Sequence, residues 1–418
     1  MYLKKLIAIL LSLLLLIQNI IPIQAVTSDF PELSCDHAII MDVDTKQLIY
    51  SKDPFSQIAP ASVTKIMTII VALESGVSLD TSITVDTSLF EGIGNDDAQL
   101  NFSDNEVFTL RDMLYCAAVY SANDAANLVA QCVGGSIENF VEMMNQKAKE
   151  IGCENTHFAN ANGLDAEDHY STTYDMCLIM AYGVQNEMFN TLLSANSYDL
   201  PATRVREAFT VYNVRNLSIM TNSAYYIPGI VSSKIGSTPN ARACEISYIE
   251  RDSKKFIIAT FAGLGDETRA AEHYNLADYF CNNFSIIDVK QDYLEPDLDL
   301  PYIYAIQTTK NYYTVKEMTT MYAYNNAEVN KVTRTFKPIP IDSDTKIGDV
   351  VGYYVYEQNG EIINEQEVYL NSKIVLSIPH LLIVGLIGII SLILYVILVF
   401  ISVGMINRLS KRIRRRHG

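Results

Sequence analysis

Ser62 and Lys65 stand three residues apart at the head of an apolar run, Ile66 to Leu73, that only Thr68 interrupts. Pro60 and Ser62 are helix-start signals, so a helix is expected to open at or near Ser62. One helical turn would set both side chains on one face, with the amine in reach of the hydroxyl. A serine hydroxyl is a poor nucleophile until a base removes its proton. A lysine is that base only where burial or a second cation lowers its pKa. The segment beyond Lys65 is apolar almost all round, as in a helix enclosed by a domain interior. Ser-x-x-Lys by itself is a spacing that many chains contain by chance.

Two further polar clusters follow. Ser121-Ala122-Asn123 comes where a strongly helical run should break, and Lys234-Ile235-Gly236-Ser237-Thr238 lies on a β-branched, strand-like stretch. Ser-x-x-Lys, Ser-x-Asn and Lys-x-Gly in this order match the signature of serine β-lactamases and penicillin-binding proteins. The flanks tighten the match. Ala61-Ser62-Val63-Thr64-Lys65-Ile66-Met67-Thr68, Tyr120-Ser121-Ala122-Asn123-Asp124-Ala125-Ala126 and His157-Phe158-Ala159-Asn160-Ala161-Asn162-Gly163-Leu164-Asp165 closely resemble the D-alanyl-D-alanine carboxypeptidases, the low-molecular-mass penicillin-binding proteins. The resemblance runs over roughly residues 30 to 285.

It implies a serine-type acyl transfer with Ser62 as nucleophile, Lys65 as base and Ser121 as proton carrier to the departing amine. Asn123 would anchor the substrate backbone or the Lys65 amine. Lys234 would place a second cation in the cleft, keeping Lys65 neutral and attracting an anionic substrate terminus. Backbone N–H groups of Ser62 and Ser237 would hold the oxyanion, with Gly236 leaving room for the substrate backbone. Thr238 and Arg269 would bind the terminal carboxylate, a guanidinium suiting its two oxygens. Two positions depart from the family's pattern: Ile235 stands where a threonine is usual, and Arg242 where a small glycine is usual. The first removes a polar contact worth about 1.5–3 kcal/mol to a charged partner. His157 and His169 are read as structural. No His, Cys and Asp cluster has metal-ligand spacing, and no cofactor is expected.

Around these residues the pattern is of a sheet with helices inserted into it. Ala38 to Asp44 and Gln47 to Tyr50, joined at Thr45-Lys46, read as a hairpin. Strand signals return at Gly229 to Gly236, Cys244 to Glu250 and Lys255 to Leu264. The stretch between is largely helical: a capping-box-like start at Thr109-x-x-Asp112 opens a helix through Tyr120, and others are expected over Asp124–Val133 and from Ser136 to Gly152. The expected fold is therefore α/β (α+β): a β-lactamase/transpeptidase-like catalytic domain with an antiparallel sheet and an inserted helical subdomain. The site would lie in the cleft between them.

The ends give the topology. Met1 to Ala25, with Lys4 and Lys5 before an apolar run, has the layout of a signal peptide, an uncleaved anchor being the competing reading. Leu381 to Val403 carries no charge and is long enough to span a bilayer, and six basic residues from Arg408 to Arg416 follow it. Setting Lys4, Lys5 and those six aside leaves 23 basic against 48 acidic residues, about −25, compared with −17 for the whole chain. So acidic an exported part has no footprint for nucleic acid. The seven cysteines, an odd number without Cys-x-x-Cys spacing, are given no catalytic part. The expected domains are 1–25 signal peptide, 30–285 catalytic, 286–372 a small all-β C-terminal domain, 379–406 a C-terminal transmembrane helix and 407–418 a basic cytoplasmic tail.

These features predict an exported, single-pass carboxypeptidase at the cell membrane. It would remove the terminal D-alanine from peptidoglycan stem peptides and be acylated by β-lactams. A weakened penicillin- or peptidoglycan-binding protein is the alternative that Ile235 motivates. A β-lactamase shares the chemistry, but the anchor and the additional β domain argue against it.

Overall fold

The computed structural model describes residues 30–288 without a break and, beyond them, stretches between 298 and 403. The leader-like segment 1–25 and the basic tail 407–418 lie outside the described residues. Five antiparallel strands form the central sheet: β1 (His37–Asp42), β2 (Leu48–Lys52), β3 (Ile230–Thr238), β4 (Arg242–Arg251) and β5 (Lys254–Gly263), in the spatial order β2-β1-β5-β4-β3. The chain thus begins and ends its catalytic unit in adjacent strands, β1 lying beside β5 with Ile39 opposite Ala259 and Ile40 opposite Ile258. The tight β4–β5 turn puts Asp252 and Ser253 at φ 54° and 62°, the left-handed pair that suits a two-residue hairpin.

Both faces of this sheet are buried, so β1 reads as a continuous apolar run. Ile39, Met41, Ile257 and Ala259 face the inserted helices, while Ile40, Phe256 and Ile258 pack on Leu276 and Phe280. The latter two come from the helix Asp266–Asn283, which follows the sheet. Each such aliphatic or aromatic side chain contributes about 1.5–3 kcal/mol when fully buried.

The insertion carries α1 (Lys65–Glu74), α2 (Leu110–Tyr115), α3 (Asn123–Gly134), α4 (Ile137–Ile151), α5 (Thr173–Gly183) and α6 (Glu187–Ser194), and α7 (Asp266–Asn283) follows the sheet. α1 is enclosed from Lys65 to Ala72, in keeping with its all-round apolar sequence. It does not open at Ser62. A 3₁₀ turn, Ala61–Thr64, carries the serine and feeds the helix at Lys65. α2 starts on the expected capping box, Thr109 Oγ1 accepting from the Asp112 N–H at 3.1 Å and Asp112 from the Thr109 N–H at 2.7 Å. Its continuation, Cys116–Tyr120, widens into a π turn rather than running on as α-helix. Such turns often mark functional sites. Ser136 caps α4 and Gly152 ends it at φ 98°.

The chain divides into two units. The first runs through Ile286 and takes back Tyr322–Val329, a return that no local pattern announces. It is held by Tyr322, whose backbone exchanges hydrogen bonds with the buried Gln47 amide at 3.1 and 3.3 Å and whose ring meets Phe280 edge-on. In the second unit the described strands Tyr313–Val315, Glu361–Leu370, Val350–Gln358 and Thr333–Pro338 lie side by side, in that order, as one antiparallel sheet. Leu386–Val403 is an exposed 18-residue helix of mean hydropathy 3.0, long and apolar enough to cross a membrane.

Candidate active site

The 3₁₀ turn Ala61–Thr64, the π turn before Ser121 and strand β3 converge on one cleft of about 470 Å³. Ser62, Ser121, Asn123, Lys234, Gly236 and Ser237 line it. Lys65 lies beneath Ser62 with no exposed surface, its Nζ 2.9 Å from Ser62 Oγ, 2.7 Å from Asn123 Oδ1 and 2.5 Å from the Asn162 carbonyl. Burial, then the charge of Lys234, hold its pKa well below the ordinary lysine value, and Asp124 and Asp97 oppose this more weakly. The geometry suits the free base. Two neighbours, the Asn123 amide oxygen and the Asn162 carbonyl, only accept and so take both N–H groups of a neutral amine. The lone pair then faces Ser62, the one neighbour with a proton to give.

Ser121 follows the π turn in the left-handed conformation, φ 66°, unusual for a serine and costing about 1–3 kcal/mol. The strain delivers its hydroxyl to Lys234, whose Nζ donates to Ser121 Oγ at 2.9 Å and to the Ile235 carbonyl at 2.8 Å. Lys234 is buried as well. Desolvation first, then the nearby Arg269 and Arg215, lower its pKa to about 7. Gly236 is required by a close approach: a Cβ there would come within 2.9 Å of the Ser62 nitrogen. Gly163, at φ 88°, is more constrained still, since a Cβ would meet the Ala61 carbonyl oxygen at 2.0 Å.

Residues 159–165 stand out in the sequence as a motif without an assigned task. The segment is fastened to α1 by Thr68 Oγ1, which donates to the Ala161 carbonyl at 2.6 Å, and by His169. That imidazole accepts the Ala159 N–H at Nδ1, so Nε2 carries the proton and donates to Thr64 Oγ1 at 2.8 Å. Burial, foremost, lowers its pKa to about 4, and as a neutral ring it serves as a structural pin. His157 likewise makes local contacts, Nδ1 with the Asp168 carbonyl at 2.6 Å and its ring tilted against Tyr170. Asp165 at the far end clamps the β3–β4 turn, accepting from Thr238 Oγ1 at 2.7 Å and from the Asn240 N–H at 3.2 Å. Thr238 therefore sits in the cleft wall with its hydroxyl proton already given away.

Arg269 is placed differently from what its sequence position implied. It touches the cleft but is only 1% exposed, and all three guanidinium nitrogens are engaged. Nε donates to Glu245 at 3.1 Å, Nη1 to Asp266 at 2.5 Å and Nη2 to the Arg215 carbonyl at 3.1 Å. The exposed guanidinium of the cleft belongs to Arg215, braced on Asp266 at 2.9 Å. Neither Arg215 nor Glu245 stands in a recognisable motif. Among the described residues no group of three His, Cys, Asp or Glu side chains could hold a metal ion. All seven cysteines are unpaired; six are buried and Cys132 is half-buried.

Residues 24–264, more than half of the chain, match the protein family described as D-alanyl-D-alanine carboxypeptidase. The chain belongs to that family. The D-alanyl-D-alanine carboxypeptidase DacF of Bacillus subtilis is 31% identical over 245 residues, 58% of this chain and 61% of that protein. The chain thus spans less than two thirds of that relative's length. The D-alanyl-D-alanine endopeptidase of Escherichia coli is 29% identical over 250 residues, 59% of this chain and 77% of that protein. Among solved structures, penicillin binding protein 5 of Haemophilus influenzae shares the fold with a TM-score of 0.64 at 20% identity, covering 84% of this chain and 99% of that one.

The two departures from the family's pattern have distinct consequences in this carboxypeptidase-family chain. Ile235 is half-buried and lines the cleft. Strand alternation turns it away from Lys234, to the face where Glu245, its cross-strand neighbour, holds Arg269. Arg242 occupies φ 55°, a conformation glycine adopts without strain, and its guanidinium pairs at the surface with Asp36.

Proposed function

We propose that the protein is a serine-type D-Ala-D-Ala carboxypeptidase acting on peptidoglycan stem pentapeptides. The observation that carries this reading is the buried Lys65 amine, 2.9 Å from Ser62 Oγ with two obligate acceptors behind it. Ser62 Oγ attacks the carbonyl of the penultimate D-alanine as Lys65 accepts its proton. Backbone N–H groups of Ser62 and Ser237 receive the negative oxygen that forms. The C–N bond breaks as Ser121 gives its proton to the leaving amine and regains the one Lys65 took from Ser62, which frees D-alanine, leaves an ester on Ser62 and returns Lys65 to the free amine. Water then attacks the ester as Lys65 takes its proton, the ester C–O bond breaks, and Lys65 passes that proton to Ser62 Oγ as the shortened peptide leaves with a carboxyl end. Lys234 and the exposed Arg215 supply positive charge for the substrate's terminal carboxylate, with Arg269 behind them in the wall.

We place the catalytic unit outside the cell membrane, with Leu386–Val403 as a single anchor and the second unit as a small all-β module preceding it. The hydropathy of that helix and the basic residues after it support this topology. Protease added outside intact cells should remove the catalytic unit and spare a tag placed after Gly418, whereas loss of the tag would reverse the orientation.

The activity is tested by D-alanine release from a stem pentapeptide. Steady release that Ser62→Ala abolishes supports it. Stoichiometric β-lactam labelling without release would favour instead a binding protein of low turnover, the reading that Ile235 motivates.

A further inference from the structure

Asn123 and Asn127 lie one turn apart on the same face of α3, and both are buried. Asn123 meets Lys65 directly. Asn127 Oδ1 accepts from Asn162 Nδ2 at 3.0 Å, and Asn127 Nδ2 donates to the Leu89 carbonyl at 2.7 Å. The other end of the Asn162 amide is committed as well, Oδ1 accepting the Leu164 N–H at 3.0 Å. The Asn162 side chain is thus held at both ends, and its main-chain carbonyl is the group 2.5 Å from Lys65 Nζ. We infer that Asn127 is a positioning residue for the catalytic amine: through Asn162 it fixes the acceptor that turns the lone pair of Lys65 toward Ser62. This inference rests on the acyl-transfer reading above.

The consequence is a pH effect with a definite sign. A carbonyl stabilises an ammonium more than a neutral amine, so loosening the Asn162 carbonyl makes Lys65 easier to deprotonate. The charged groups that act on Lys65 are Lys234 on β3, Asp124 on α3 three residues before Asn127, and Asp97 in the segment before α2. His169, on the far side of Thr64, is neutral at working pH. None of them touches Asn127 in the contacts above, so the Asn127–Asn162 pair is separable from them.

The test uses the full chain in mild detergent, with kcat, KM and β-lactam acylation rate measured from pH 5 to 10 for Asn127→Leu, Asn162→Ala and the double variant. The expected result is a plateau rate lowered about ten- to a hundredfold, with KM nearly unchanged, as for a misaligned reacting group. The acid limb should move to lower pH by about half to one unit. The double variant should be no worse than the more impaired single one, since both break one chain of contacts. An acid limb that stays in place, or losses that simply add, would overturn the inference whatever happens to the rate. Melting temperature identifies a variant that fails to fold, and if Asn127→Leu does so, Asn162→Ala decides alone. Failure of the acyl-transfer reading is distinguishable, because the unmutated chain would then show no acylation at Ser62 at any pH.

Discussion

The two walls of the cleft bury cations in opposite company. On the helix wall, Lys65 meets a hydroxyl, an amide oxygen and a backbone carbonyl, with no carboxylate bonded to it. On the strand wall, Arg269 is as deeply buried but is bonded to Glu245 and Asp266. A buried amine surrounded by neutral acceptors loses its proton readily, and that readiness makes it a base. A buried guanidinium between carboxylates keeps its charge and becomes structure. Lys234 stands between these cases: buried and bonded to Ser121 and a carbonyl, it is drawn down to about 7 by desolvation and by the Arg269 and Arg215 charges.

Breaking the helix wall should have the largest effect. Lys65→Met keeps the volume and removes the base, so acylation of Ser62 should fall by about 10³–10⁴-fold. Stability should be unchanged or higher, because a buried amine has been replaced by an apolar chain. Breaking the strand wall should do the reverse. Glu245→Leu takes away the fully buried carboxylate, leaving Arg269 only the partly exposed Asp266, and should cost up to about 3–5 kcal/mol in denaturant unfolding, the usual penalty for halving a buried pair. If Lys65→Met proved the more destabilising of the two, the contrast between the walls would fail.

Ile235→Thr sharpens the comparison at the strand wall. A hydroxyl restored to the cleft edge should raise kcat/KM for D-Ala-D-Ala peptides about ten- to a hundredfold, the worth of one charge-assisted hydrogen bond. The gain should shrink for a depsipeptide or amide lacking the free carboxylate. No gain together with a lowered melting temperature would mean that the side chain acts only as packing.

The smallest effect concerns the pH response. Lys234 falls from the ordinary 10.5 to about 7 on folding, so across that window the unfolded chain holds a proton that the folded one lacks. Its contribution to stability therefore rises from pH 7 to 10.5, is complete above that, and is lost as pH falls through 7. Lys234→Gln should flatten this slope. It should also move the acid limb of acylation to higher pH, since Lys65 is relieved of its repulsion.

Sequence spacing made the helix wall readable because its parts are local. Ser62 and Lys65 are one turn apart, the capping box of α2 and the glycine that ends α4 are written in adjacent residues, and the apolar run after Lys65 announces its burial. The antiparallel sheet was readable as well, from strands at both ends of a helical insertion. The strand wall resisted because its ion pairs join distant segments: Arg215, Glu245 and Arg269 come from a loop, β4 and α7, and none has a periodicity of its own. For Arg269 the sequence offers only a resemblance to a carboxylate-binding arginine, set against a solvated helix-end residue, and neither reading anticipates its burial between two carboxylates. The π turn before Ser121 was hidden for a different reason, since Cys116–Tyr120 has an ordinary helical composition and the wider turn is imposed by where Ser121 must point. Asn162 was visible as a motif, but its part depends on a carbonyl, which sequence does not distinguish.

The most direct test of the account is a quenched reaction. The full chain is mixed with a D-Ala-D-Ala-terminated peptide, stopped with acid during turnover, digested and mapped by mass. The predicted result is a single adduct equal to the substrate less its terminal D-alanine, confined to the peptide containing Ser62. It should be absent in Ser62→Ala and much reduced in Lys65→Met. D-alanine release with no adduct on Ser62, or an adduct carried by Ser121 instead, would contradict the assignment of nucleophile and base.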